Sequence, residues 1–183
     1  MGGKIIHEKL IGQFVDLKEA DISDADFILK LRCDEVKSKF LHKTENDIGK
    51  QIAYLKKYKE KTDEWYFIVL NKQGEKIGTN RIYNIKDDCF TTGSWIMADG
   101  CTSEEVFESD YLVRMYGFET LGFNKTRLDV KKGNKKVISY HKMLGAIVYT
   151  EDEESVYLEI LKDVYQEKAK KWLTLYSKLK NWK

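Results

Sequence analysis

A mixed α/β domain, one sheet flanked by helices, is what this sequence predicts, and three observations carry the prediction. Strand-like and helical stretches follow one another along the chain. A strand, a long helix and a second strand fall within about 40 residues, the length of a crossover unit. No internal repeat or low-complexity linker divides the 183 residues, of which 42% are hydrophobic and 13% aromatic, ample for one core. The expected domain spans 1–183, with its core at 13–162 and a C-terminal helix at 163–180. About seven strands and four to five helices should build it.

Residues 13–17 alternate apolar and polar side chains and read as the first strand. Residues 20–32 carry Ala25, Ile28, Leu29 and Leu31 on one face behind a cap at Asp21 or Ser23, the pattern of an amphipathic helix. Residues 46–61 repeat it with Ile48, Ile52 and Leu55, while Lys50, Lys56, Lys57 and Lys59 form a solvated face. The loop between these helices holds His42. Residues 65–71 are aromatic and β-branched, and the turn Asn71-Lys72-Gln73-Gly74 leads into a strand at 76–84. After the polar connection at Asp87-Asp88 a third run occupies 91–98, which completes an antiparallel meander. The chain has no proline, against about 5% usually, so Gly, Asn and Asp must make its turns.

The helix at 104–122 places Phe107, Tyr111, Met115 and Phe118 in a core stripe and stops at Gly122. Residues 124–130 resume as a strand, so this pair should be parallel and its crossover right-handed. A short helix at 135–144 follows Gly133-Asn134 and ends at Gly145. Residues 146–150 and 156–161 close as a hairpin around an acidic turn. Tyr165, Ala169, Trp172, Tyr176 and Leu179 keep helical spacing through a lysine-rich tail, and that complete apolar face predicts docking on the core rather than on nucleic acid.

A net charge of +2 sets up no overall field that would select nucleic acid or an anionic membrane. Cys33, Cys89 and Cys101 are odd in number and lack metal-ligand spacing, so free thiols and no metal site are expected. No run of about 18 apolar residues and no signal-peptide pattern occurs, and a cytoplasmic protein is expected. Ile6 stands where a myristoylation start would want Ser or Thr.

Chemistry enters at residues 99–105, where a strand turns into a helix. Unpaired N–H groups at a helix start favour anions such as a pyrophosphate. The order of elements, with LKLRCDEVKSKFL from Leu29, IGTNRIYNI from Ile77, TGSWIMADG from Thr92, YGFETLGFNKTRLDV from Tyr116 and GNKKVISYHKMLGA from Gly133, resembles the GNAT superfamily of N-acetyltransferases over residues 13–162. Within it, the ribosomal-protein and nucleotide amino-sugar branch is most similar. The resemblance implies an antiparallel meander plus a parallel pair splayed at the centre of the sheet, with acetyl-coenzyme A (acetyl-CoA) as co-substrate in the gap.

It further implies that backbone groups of Trp95, Ile96 and Met97 pair with the pantetheine amides, although Trp95 and Ile96 read equally as core. The family's pyrophosphate loop, usually Arg/Gln-x-x-Gly-x-Gly/Ala, falls on residues 99–106, leaving Thr102, Ser103, Glu104 and Val106 to meet the phosphates. Here the chain departs from the pattern. It has no second glycine, and Glu104 and Glu105 suit the helix dipole but repel a phosphate. Lys131, Lys132, Lys135 and Lys136 are expected to supply positive charge nearby. Asn134 holds the position that bonds the pantetheine arm and is equally a helix cap. Counting from Asn134 assigns protonation of the departing thiolate to His141, whereas residue type assigns it to Tyr140, and both stand as catalytic candidates. His42, Arg32 and Arg81 are the substrate-binding candidates, the arginines for an anionic acceptor, with Arg32 equally able to pair with Asp34 or Glu35.

The activity implied is acetyl transfer from acetyl-CoA to a primary amine by direct attack. A nucleotide-linked amino sugar is the acceptor expected first, with a protein N-terminus, a polyamine or an aminoglycoside as alternatives. A fold-mate that binds acyl-CoA without catalysis is the alternative of a different class. The expected partner is the small-molecule amine, with no nucleic acid, no membrane, and a homodimer left open.

Overall fold

The structure, a computed structural model, describes residues 9–41 and 43–180. Leu10–Ile11 (β1) and Val15–Glu19 (β2) form the sheet's first edge. The first predicted strand starts two residues later than its alternation implies, because a side chain from elsewhere occupies the preceding backbone. The buried carboxylate of Glu108 accepts from the N–H groups of Gln13, Phe14 and Val15 at 2.8, 2.5 and 2.8 Å. A buried carboxylate is tolerable only when it is satisfied in this way.

Asp21 accepts from Ser23 N and caps a single 3-10 turn, Ile22–Asp24, after which the α-helix runs over Ala25–Cys33 (α1). Asp47 caps Ile48–Lys59 (α2) through Lys50 N. Their apolar faces, with Ala25, Ile28, Leu55 and Tyr58, close over Tyr66, Ile68 and Leu70 of the sheet. Those residues belong to Trp65–Asn71 (β3), which coincides with the aromatic, β-branched run. Lys76–Lys86 (β4) and Cys89–Met97 (β5) complete the meander, each two residues longer at the shared turn than predicted. The turn shrinks to Asp87-Asp88 because Asp87 takes φ 54°, a left-handed conformation that Asp tolerates.

Ser103–Met115 (α3) begins at a reciprocal cap between Thr102 and Glu105. Its α-helical ladder ends well short of the predicted residue 122. Tyr116–Thr120 widens into a π-helical turn where Gly117 presses on Phe90, so closely that a Cβ there would lie 2.3 Å from the ring. Lys125–Lys131 (β6) then lies parallel to β5, Lys135–Met143 (α4) follows, and Ile147–Glu151 (β7) pairs with Ser155–Leu161 (β8). Lys162–Lys180 (α5) buries Tyr165 and Ala169 in the main core with Phe90, Phe107, Phe118 and Leu128, so the basic tail docks on the core as its apolar face predicts.

The described residues make one mixed sheet of eight strands in the order β1-β2-β3-β4-β5-β6-β8-β7, with five α-helices. The strand beyond the expected seven is β1, too short to show a periodicity. Among the described residues no helix is long and apolar enough to cross a membrane.

Candidate active site

The centre of the sheet opens into a fork. β5 and β6 pair only at Cys89–Lys125, Phe90–Thr126 and Thr91–Arg127. Beyond Thr91, β5 stays with β4 through Thr79–Ile96 and Gly78–Met97, whereas β6 stays with β8 through Leu128–Leu158 and Val130–Val156. A bulge turns β5 aside. Between Gly93 and Ile96 its register slips against β4, and Ser94 adopts φ 51°. This left-handed conformation costs a serine roughly 1–2 kcal/mol. It is held from both sides: Thr79 Oγ1 donates to the Ser94 carbonyl at 2.8 Å, and Arg32 reaches the Ser94 hydroxyl at 3.2 Å. Among the described residues, the strand edge facing the fork, which includes Trp95, Ile96 and Met97, has no partner strand past Thr91.

One side of the fork is a cleft of about 990 Å³. α1 and α2 contribute Arg32 and Tyr54, β4 contributes Arg81 and Tyr83, β6 contributes Arg127 and Asp129, and the closing hairpin adds Tyr149 and Tyr157. The guanidinium of Arg81 lies 4.9 Å from the Tyr83 ring centroid and 5.7 Å from that of Tyr54, and its other end is ion-paired with Glu64. Arg127 lies 4.6 Å from the Tyr149 ring and donates to Glu159 at 2.9 Å. Arg32 donates to Thr44 Oγ1 at 2.6 Å. Both arginines named from the sequence therefore reach one cleft. His42 lies outside the described residues, between Leu41 and the cleft-lining Lys43. Tyr54, Tyr83, Arg127 and Asp129 were not singled out from the sequence. The available signal was the two-residue spacing of Arg81 with Tyr83 and of Arg127 with Asp129, which puts each pair on one strand face.

The other side of the fork is packed. The Trp95 indole donates to Ser109 Oγ at 3.0 Å and lies 5.2 Å from the Tyr140 ring and 6.0 Å from that of His141. Tyr140 donates to Asp110 Oδ2 at 3.2 Å, Arg114 donates to both oxygens of Asp110 at 3.1 and 2.9 Å, and Arg114 Nη2 lies 3.3 Å from His141 Nδ1. Asp110, Arg114 and His141 are buried, and Arg114 Nη1 has no hydrogen-bond partner among the described residues. Burial, and after it the neighbouring Arg114 charge, lowers the His141 pKa to about 3, so the imidazole is neutral. Burial first, then the Asp110 charge, pushes the Tyr140 hydroxyl well above its ordinary value and keeps it protonated.

The turn at 99–106 has Gly100 at φ 82°. Thr102 Oγ1 accepts from Glu105 N at 3.2 Å, and Ser103 Oγ donates to Glu104 Oε2 at 3.1 Å, so both hydroxyls have local partners. Val106 N donates to the Thr102 carbonyl within the first turn. Asn134 caps α4 by accepting from Val137 N at 3.4 Å. Lys131 and Lys132 pair with Glu154 and Glu151, while Lys135 and Lys136 stand with Tyr140 around a shallow depression on α4. The features that fit a phosphorylated thioester carrier are the free β5 edge, the uncapped N–H groups of Ser103 and Glu104, and these two lysines. Glu104 and Glu105 oppose it. Among the described residues no cluster of His, Cys, Asp and Glu fits a metal ion.

No family model and no curated protein matches the chain. Solved structures do. One described as apo FdhC, a nucleotide-linked sugar GNAT, is 32% identical, with a TM-score of 0.83 over 92% of this chain and 98% of that one. A GCN5-related N-acetyltransferase from Brucella melitensis shares the fold at 14% identity, with a TM-score of 0.73 over 91% of this chain and 86% of that one. Mutant forms of the spermidine/spermine N-acetyltransferase SpeG from Vibrio cholerae share it at 16% identity, with a TM-score of 0.73 over 86% of this chain and 99% of that one.

Proposed function

The chain belongs to the GNAT superfamily of N-acetyltransferases, and from that premise we propose that it transfers an acetyl group from acetyl-CoA to the primary amine of a nucleotide-linked amino sugar. The cleft at the fork carries this reading. It is lined by six cationic residues, Arg32, Lys43, Lys50, Arg81, Lys86 and Arg127, against two carboxylates, Glu45 and Asp129. Guanidinium groups meet a diphosphate through paired hydrogen bonds, and tyrosine faces stack on a nucleobase. A polyamine such as spermidine would meet repulsion on the same surface. The nucleotide-linked substrate in the description of the 32% identical protein points the same way.

Acetyl-CoA supplies an activated acyl group, and this chain's residues would hold it and manage the protons. The free edge at Trp95, Ile96 and Met97 would pair with its amides. The start of α3, with Thr102, Ser103, Glu104 and Val106, and the start of α4 at Asn134 would face its phosphates, with Lys135 and Lys136 supplying the charge that Glu104 and Glu105 oppose. Tyr140, which keeps its proton, is the donor we assign to the departing thiolate. His141, buried and neutral beside Arg114, would orient it.

Thiol release from acetyl-CoA tests the reading, measured with uridine- and thymidine-diphosphate-linked glucosamine, spermidine and an N-terminal peptide amine. Release with the nucleotide sugars above the other two supports it. Release with spermidine alone overturns the acceptor class, and tight acetyl-CoA binding with no release from any amine leaves a non-catalytic binding protein.

A further inference from the structure

The reaction needs a group to take a proton from the acceptor, because an alkylammonium cannot attack a thioester. Asp129 lies two residues past Arg127, the last residue of β6 to pair with β5, and in register with Tyr157 of β8. That position puts it where the fork begins, on the cleft side. The other lining carboxylate, Glu45, is held in an ion pair by Lys50. Among the described residues, none closes an ion pair or side-chain hydrogen bond on Asp129.

Among the described residues, groups that feel its charge include Tyr83 from β4, Lys131 from its own strand and Tyr157 from β8. Lys131 is turned to Glu154 at 2.6 Å, and Tyr157 donates to Asp152 at 2.7 Å. Tyr83 is set across the fork over Gly93, where a Cβ would come within 2.8 Å of its hydroxyl. Burial, with the opposing charges of Arg81 and Asp129 after it, raises the Tyr83 hydroxyl above its ordinary pKa, so it is no base. Asp129 is thus a carboxylate in a largely cationic cleft with no cation of its own among the described residues, within electrostatic reach of the Tyr83 phenol.

We propose that Asp129 binds the ammonium of the acceptor sugar and accepts its proton. The assignment rests on the acceptor reading above and deepens it. The ammonium gives one proton to Asp129. The lone pair so freed forms the C–N bond as the C–S bond of the thioester breaks, sulfur keeping that pair. Tyr140 gives its proton to the thiolate, the second proton leaving the nitrogen restores the Tyr140 hydroxyl, and Asp129 returns the first to solvent. One amide and one thiol result.

Calorimetric titration of the full chain with uridine- and thymidine-diphosphate-linked glucosamine, each against its glucose counterpart, tests this without turnover. Wild type should prefer the amino sugar by about tenfold to a hundredfold, the range for a charge-assisted contact, and Asp129→Asn should bind both alike. In turnover Asp129→Asn should lose about 10²–10⁴ in kcat/KM while its thermal unfolding is unchanged. A variant that keeps the preference, or full kcat/KM, overturns the assignment. Equal wild-type binding of amino and neutral sugars overturns it alone, and binding of none of them removes the acceptor reading with it.

Discussion

The two sides of the strand fork carry charge in opposite ways. On the packed side buried Asp110 binds Arg114 and accepts from the half-buried Tyr140, Arg114 lies against buried His141, and Trp95 packs on the Tyr140 and His141 rings. On the cleft side Arg32, Arg81 and Arg127 are steadied by neighbours yet still face open volume, and Asp129 is held by none of the described residues. A buried ion pair such as Asp110–Arg114 fixes geometry and has little capacity left for a ligand, while Tyr140 at its edge keeps a hydroxyl proton to give. An open one retains that capacity, and this contrast is why the cleft is read as the acceptor site and the packed side as its frame.

The contrast breaks first if the packed side is not structural. Asp110→Ala leaves Arg114 buried without its carboxylate, and chemical denaturation should show a loss of about 3–5 kcal/mol. A loss below about 1 kcal/mol would mean that water reaches the cluster. Next in size is the pH dependence. His141 is neutral when folded, with a pKa of about 3, and takes up a proton near pH 6.5 when unfolded, so its contribution is present above pH 6.5 and is lost as pH falls toward 3. Wild type should lose up to about 1.4 kcal/mol per pH unit more than His141→Asn over that window, read from denaturation curves at matched ionic strength. The smallest effect sharpens the other side. Arg127→Ala should change unfolding by less than about 1 kcal/mol, since its side chain is 42% exposed, yet weaken nucleotide-sugar binding about tenfold.

The sequence conveyed the frame better than the site. Residues 65–71 were legible because every side chain but the last is buried, so no polar alternation was needed to mark the strand. α5 was legible through its apolar face. The end of α3 was not, because where it leaves the α-helix Gly117 lies against Phe90, distant in sequence and close in space. Ser94 carries no glycine to announce its left-handed backbone, and a bulge set by Thr79 and Arg32 has no local signature. Arg114 gave the opposite difficulty. An arginine near the end of a helix reads as solvated, and only its four-residue spacing from Asp110 hints at a buried pair. Arg32 and Arg81 were drawn from residue type alone, while Tyr83 and Asp129 needed the fork itself to give them meaning.

The parallel seam, three residue pairs long, has a consequence for how the molecule comes apart. It is the sole ladder joining β1–β5 to β6, β8 and β7 among the described residues, whereas β6 and β8 share seven pairs. Under denaturant or pulling force the sheet should divide there, with the amides of the seam exchanging with deuterium before those between β6 and β8. The opening we assign to the substrate is thus also the line along which the sheet is least sewn together.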